Sequence, residues 1–205
     1  MIITMILHPT GKVGPGGVES MVRMLVAVHS LALASLPVVF LGAWGLSRRV
    51  ASADRLAMAA LVLYAFAAVA VMNAAVFDGL VAPNLIRQIV STHDTATPGT
   101  SEGWRLVFNY NSYLNQSFAR VFAVASSTAI VLWSAAIIRS GALSWGVGIY
   151  GCVLGAFTVI GVLSGLLNPD VHGFGLIIFG QALWFIIVGV QLCRVRNALP
   201  PPSHP

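Results

Sequence analysis

Five apolar runs, each long enough to cross a bilayer, dominate this chain of 205 residues. They cover positions 22–46, 56–80, 113–138, 143–167 and 171–192. A hydrocarbon core ~30 Å thick takes about 20 helical residues to span. The chain is 58% hydrophobic and 8% charged, too little polar surface for a fold that faces water on all sides. The sequence therefore predicts an all-α, polytopic membrane helical bundle. Positions 1–197 read as a single transmembrane domain, and 198–205, with four prolines, as a disordered tail.

The apolar heptapeptide Met1–Leu7 admits two readings. It is either a short cap dipping into the interface or the tail of a further span, which would raise the count from five helices to six. At ~1.5 Å per residue it reaches a third of a bilayer core. Gly14-Pro15-Gly16-Gly17 after it reads as a turn.

Charge sets the expected orientation. Arg48, Arg49, Arg55, Arg139, Arg194 and Arg196 fall on one side when the spans alternate. Basic residues in short connections mark the cytoplasmic face, which puts the C-terminus inside. Ten of the eleven basic residues are arginine, and Ala and Gly are abundant, which suggests a GC-rich bacterial genome and hence an inner membrane. The net charge of +5 is spent at span ends rather than gathered into a cluster, so no nucleic-acid partner is expected. The connection 82–112 reads as the one extended extramembrane piece, periplasmic in this topology. Its Trp104, Phe108 and Tyr110, with Tyr113, are spaced like an interfacial aromatic belt.

The spans differ in what they offer to one another. Span 143–167 holds Gly151-x-x-x-Gly155 and Gly161-x-x-x-Gly165, a spacing that lets helix backbones approach closely. That face suits packing within the bundle, or a homo-oligomer or partner subunit in the bilayer. Span 56–80 carries a comparable alanine face. In the third span Ser112, Gln116, Arg120, Ser127 and Ser134 recur at i+4 or i+7, a polar stripe expected to face other helices or a cavity.

Counting back about 20 residues from each basic span end locates the opposite rim. His29, Asn73, Asp78, Asn115, Arg120, Asp170 and His172 gather there, with His8 and Asn111 on the same side and Gln181 deeper. Three readings stay open: polar span ends at headgroup level, an ion-pair network joining Arg120 to Asp78 or Asp170, and a pocket opening outward. His29 and His172, with Asp78 or Asp170, are ligand types for zinc, copper or nickel, and His29 is the best single candidate for a haem axial ligand. No HxxxH, HxH or HExxH spacing supports a metal, no GxSxG supports a serine nucleophile, and Cys152 and Cys193 stand apart inside apolar runs. No cofactor and no catalytic residue are predicted. The expectation is a non-catalytic membrane component, either a small-ligand carrier or the subunit of a complex. The alternative is a membrane-embedded enzyme or metal or haem protein using the His/Asp/Arg cluster.

Overall fold

The computed structural model describes residues 17–51, 54–92, 98–168 and 171–197. Met1–Leu7, His8, Asp170 and the tail 198–205 lie outside the described residues. The described residues are helical, with no strand among them. In chain order they form α1 (Gly17–Ala51), α2 (Leu56–Val76), a π turn (Phe77–Val81), α3 (Ala82–Thr92), α4 (Pro98–Ser140), α5 (Trp145–Leu163) and α6 (Val171–Asn197). Five helical units are long and apolar enough to cross a membrane, with α2, the π turn and α3 counted as one over Leu56–Ser91.

Several boundaries differ from the sequence expectation. The connection 82–112 is helical at both ends, because α3 continues span two through the π turn and α4 already begins at Pro98. At ~1.5 Å per residue, the 43 residues of α4 reach about 65 Å, more than the ~40–45 Å of a bilayer with its headgroups. The fourth span is shorter than expected and ends at Leu163. There Gly165 takes φ +79°, and Leu167 turns back so that its amide donates to the Gly161 carbonyl at 2.8 Å. A left-handed φ of this kind suits glycine, which has no Cβ to clash.

Helix α4 is the centre of the bundle. On one side it meets α2 through the alanines Ala57, Ala60, Ala67, Ala70 and Ala74, all buried. On the other it meets α5 through glycines. A Cβ on Gly151 would meet Ser134 Oγ and Trp184 Nε1, and one on Gly155 would meet the Ser127 carbonyl and Val131. Small side chains on both flanks let three backbones approach closely, the packing available where lipid removes the hydrophobic drive. The Gly151/Gly155 face is thus occupied within the chain, against α4.

Around this seam the core is aromatic. Trp133 of α4 is fully buried and stacks on Trp184 of α6 with ring centroids 6.2 Å apart, while Tyr64 sits 5.3 Å away. The Trp133 indole N–H donates to Ser47 Oγ at 2.8 Å and lies 3.2 Å from the Ala57 carbonyl, so its polar atom is satisfied. Deeper along the seam Gln181 of α6 donates to Ser126 Oγ at 2.8 Å and Ser127 Oγ at 3.0 Å. At the basic end Asp54 accepts the Leu56 amide at 2.9 Å and pairs with Arg139 at 3.2 Å, tying the start of α2 to the end of α4.

Candidate functional site

The opposite end holds a break in regular α-helix geometry, the π turn Phe77–Val81. Helix α1 buries Val22, Leu25, Val28 and His29, positions that share one face by helical spacing. His29 thereby points inward at 8% exposure, and its Nδ1 lies 2.8 Å from the Leu25 carbonyl one turn back. Its other ring nitrogen, Nε2, lies 3.1 Å from Asp78 Oδ2. Asp78 is placed there by the π turn, whose wider coil brings residues 77–81 against α1. Gly79 is part of the fit: a Cβ at this position would overlap the Cβ and Cγ of His29. Single π turns inside α-helices occur frequently at functional sites.

Helix α4 closes the site from the third side. Asn111, buried at 6% exposure, donates from Nδ2 to the Phe77 carbonyl at 3.2 Å. The same carbonyl receives the Ala82 amide, the bond that defines the π turn. A carbonyl only accepts, so this contact fixes which end of the Asn111 amide faces it. The side-chain oxygen Oδ1 is then buried with no donor among the described residues. An unmet buried acceptor costs ~1–3 kcal/mol and calls for an explanation. The Phe77 and Phe118 rings stack with centroids 5.8 Å apart, an apolar wall between the π turn and α4.

Beside the turn runs a groove of about 570 Å³, lined by Leu80, Val81, Asn84, Leu85, Arg87 and Gln88. One of these residues, Arg87, makes a two-pronged ion pair, donating to Glu19 at 2.9 and 3.2 Å. The depression is open, and its lining is shared between apolar Leu80, Val81 and Leu85 and polar Asn84, Arg87 and Gln88.

The residues expected at this rim separate into two groups. His29 and Asp78 come together. Asn73 is half-buried and donates to its own helix at the Val69 carbonyl, 2.8 Å away. Asn115 is half-buried one turn along α4 from Asn111, while His172 is exposed in the first turn of α6. Arg120 is exposed and Asp78 meets His29 instead, while Asp170, the other partner expected for Arg120, lies outside the described residues. The polar stripe of the third span divides accordingly: Ser127 and Ser134 are buried, Gln116 and Arg120 exposed. Among the described residues no three His, Cys, Asp or Glu side chains form a group that could hold a metal, so the expected ligand set of His29 and His172 is not assembled there. Sequence reasoning passed over Gly79 and undervalued Asn111. The signal for the first was an Asp-Gly pair inside an otherwise apolar helix.

Comparison with protein-family models, with curated proteins and with solved structures finds no match to this chain.

Proposed function

We propose that this chain is a multi-pass protein of a bacterial inner membrane, with its C-terminus in the cytoplasm, that works without catalysis by binding a small amphipathic ligand at the outer rim. The contact between buried His29 and partly exposed Asp78, which the π turn holds beside an open depression on α3, carries this reading. Three separate helices contribute polar atoms to this point, although five apolar spans offer many cheaper ways to pack. Polar groups held inside a membrane domain are expensive and mark ligand or ion sites. The Asn111 oxygen, which meets no donor among the described residues, favours a ligand that brings a hydrogen-bond donor, while Leu80, Val81 and Leu85 favour an apolar body.

The test is native mass spectrometry of the protein released from nanodiscs, run beside an Asn84→Trp variant that fills the groove. Wild type should carry a stoichiometric small molecule that the variant lacks. A wild type that is ligand-free, and whose thermal midpoint moves with no member of a panel of lipids, quinones and amines, would sink the reading.

A further inference from the structure

Between Arg105 and Arg139, Arg120 is the one charged residue of α4, set within the apolar length of the helix. At ~1.5 Å per residue the stretch from Arg120 to Arg139 measures about 28 Å, close to the ~30 Å of a hydrocarbon core. Arg139 pairs with Asp54 at the basic end, so Arg120 lies at the far edge of the core, where the phosphates of the second leaflet begin. Side chains on a helix lean towards its N-terminus, which for α4 is this same end. The Arg120 stem thus carries its guanidinium away from the hydrocarbon and into the headgroups.

The face that carries Arg120 is the one α5 covers deeper in the bundle. Ser127 and Ser134 share it by helical spacing, and α5 meets them at Gly155 and Gly151. Because α5 ends at Leu163, level with Arg120, that cover stops there. Arg120 is exposed, and so is Gln116 one turn further out. Ile160 and Leu163, in the last turn of α5, are exposed as well. On α6 the Phe174 ring centroid lies 5.7 Å from that of Phe122, which brings exposed His172 to the same level. Among the described residues no carboxylate meets Arg120.

We infer that the ledge where α5 ends is a docking site for an anionic phospholipid, with the phosphate on Arg120 and an acyl chain along Ile160 and Leu163. Charge complementarity selects this occupant. A guanidinium facing the edge of the hydrocarbon is costly without an anion, and a bilayer supplies phosphate at this depth. The planar fork of arginine matches two phosphate oxygens at once. A headgroup that adds its own cation would crowd the arginine, and an anionic one does not. The Gln116 amide and the His172 ring, at the same rim, offer donors and acceptors to the hydroxyls of a glycerol headgroup. Positions 111 and 120 fall on opposite faces of α4 by its 3.6-residue period, so this ledge and the π turn are separate places. The assignment goes beyond the amphipathic-ligand reading and stands without it.

Native mass spectrometry of protein released from nanodiscs of equal phosphatidylglycerol and phosphatidylcholine reads the site. Wild type should retain phosphatidylglycerol in preference. Arg120→Gln should lower that ratio at least about fivefold, the factor expected for one basic residue at an anionic surface. Arg120→Lys, which keeps the charge and loses the fork, should fall between the two and serves if Arg120→Gln does not insert. Arg105→Gln is the control: Arg105 is exposed about 22 Å further out along α4, beyond the phosphates, and its loss should leave the ratio unchanged. Asn84→Trp, across the helix, should also leave it unchanged, which separates this site from the α3 depression. An unchanged ratio in Arg120→Gln, or an equal fall in Arg105→Gln, overturns the inference. Thermal midpoints test for a protein partner instead. Adding phosphatidylglycerol to phosphatidylcholine nanodiscs should raise the wild-type midpoint and leave that of Arg120→Gln where it was. A midpoint lowered by Arg120→Gln equally in both bilayers would assign the arginine to a group such as Asp170, and would overturn the lipid site.

Discussion

Gly79 and His29 touch so closely that hydrogen is the largest substituent position 79 can carry. A Cβ placed there overlaps both Cβ and Cγ of the histidine. The contact belongs to a π turn that sets Asp78 against the same ring, so one glycine governs whether the polar site closes.

Gly79→Ala should therefore destabilise the protein by about 1–3 kcal/mol, the usual cost of forcing a methyl into a packed core. Removing the imidazole will not rescue it, since the nearest conflicting atom is His29 Cβ, which His29→Ala retains. Thermal unfolding of the single and double variants in lipid measures this. A double variant restored to wild-type stability would place the conflict further out on the ring.

Asn111 permits a sharper comparison. In Asn111→Ala the Phe77 carbonyl keeps its bond from the Ala82 amide, and the buried Oδ1 that lacks a donor disappears. The loss should stay under about 1 kcal/mol, the low end for a deleted hydrogen bond. Asn111→Asp sets an acceptor against that carbonyl and should cost more, about 1–3 kcal/mol. Equal midpoints for the two variants would show that Asn111 does not hold the turn.

The glycines of α5 should divide by side. Gly151 is buried against Ser134 and Trp184, whereas a Cβ on exposed Gly146 meets nothing. Gly151→Leu should pry α5 from α4 and lower stability by several kcal/mol, overpacking being compounded by the displaced indole. Gly146→Leu should be neutral within about 0.5 kcal/mol, as surface changes usually are. Disulfide trapping across α4 and α5 would show the same contrast in yield.

Much of this arrangement was legible in the sequence because lipid leaves few choices. Apolar length marks the spans, and small residues at helical spacing mark where backbones meet. The Gly151/Gly155 face and the alanines of α2 both pack as their spacing implies. Helical arithmetic also placed Arg120 on the face shared with Ser127 and Ser134. Periodicity gives a direction and says nothing about what lies in it. Gly151 packs at Ser134 and Gly155 at Ser127, so α5 is running out at Leu163 where Arg120 stands, and the arginine stays exposed. Pro83 and Asn84 are turn residues in most contexts, but here the helix runs through them without a break, from the π turn into α3. The partner of Gly79 in the π turn, His29, is distant in sequence, so the Asp78-Gly79 pair marks the place but not the contact.

The central claim is that His29 and Asp78 act as one unit at this rim. A double-mutant cycle of His29→Ala and Asp78→Ala, read by reversible unfolding in bicelles, tests it most directly. Residues that do not interact give additive losses within about 0.3–0.5 kcal/mol, whereas residues in one hydrogen-bonded pair depart from additivity by about 0.5–3 kcal/mol. The geometry predicts a double variant more stable than the sum of the single losses allows, with a coupling of at least about 1 kcal/mol. Strict additivity would contradict the account and return both residues to independent span-end positions.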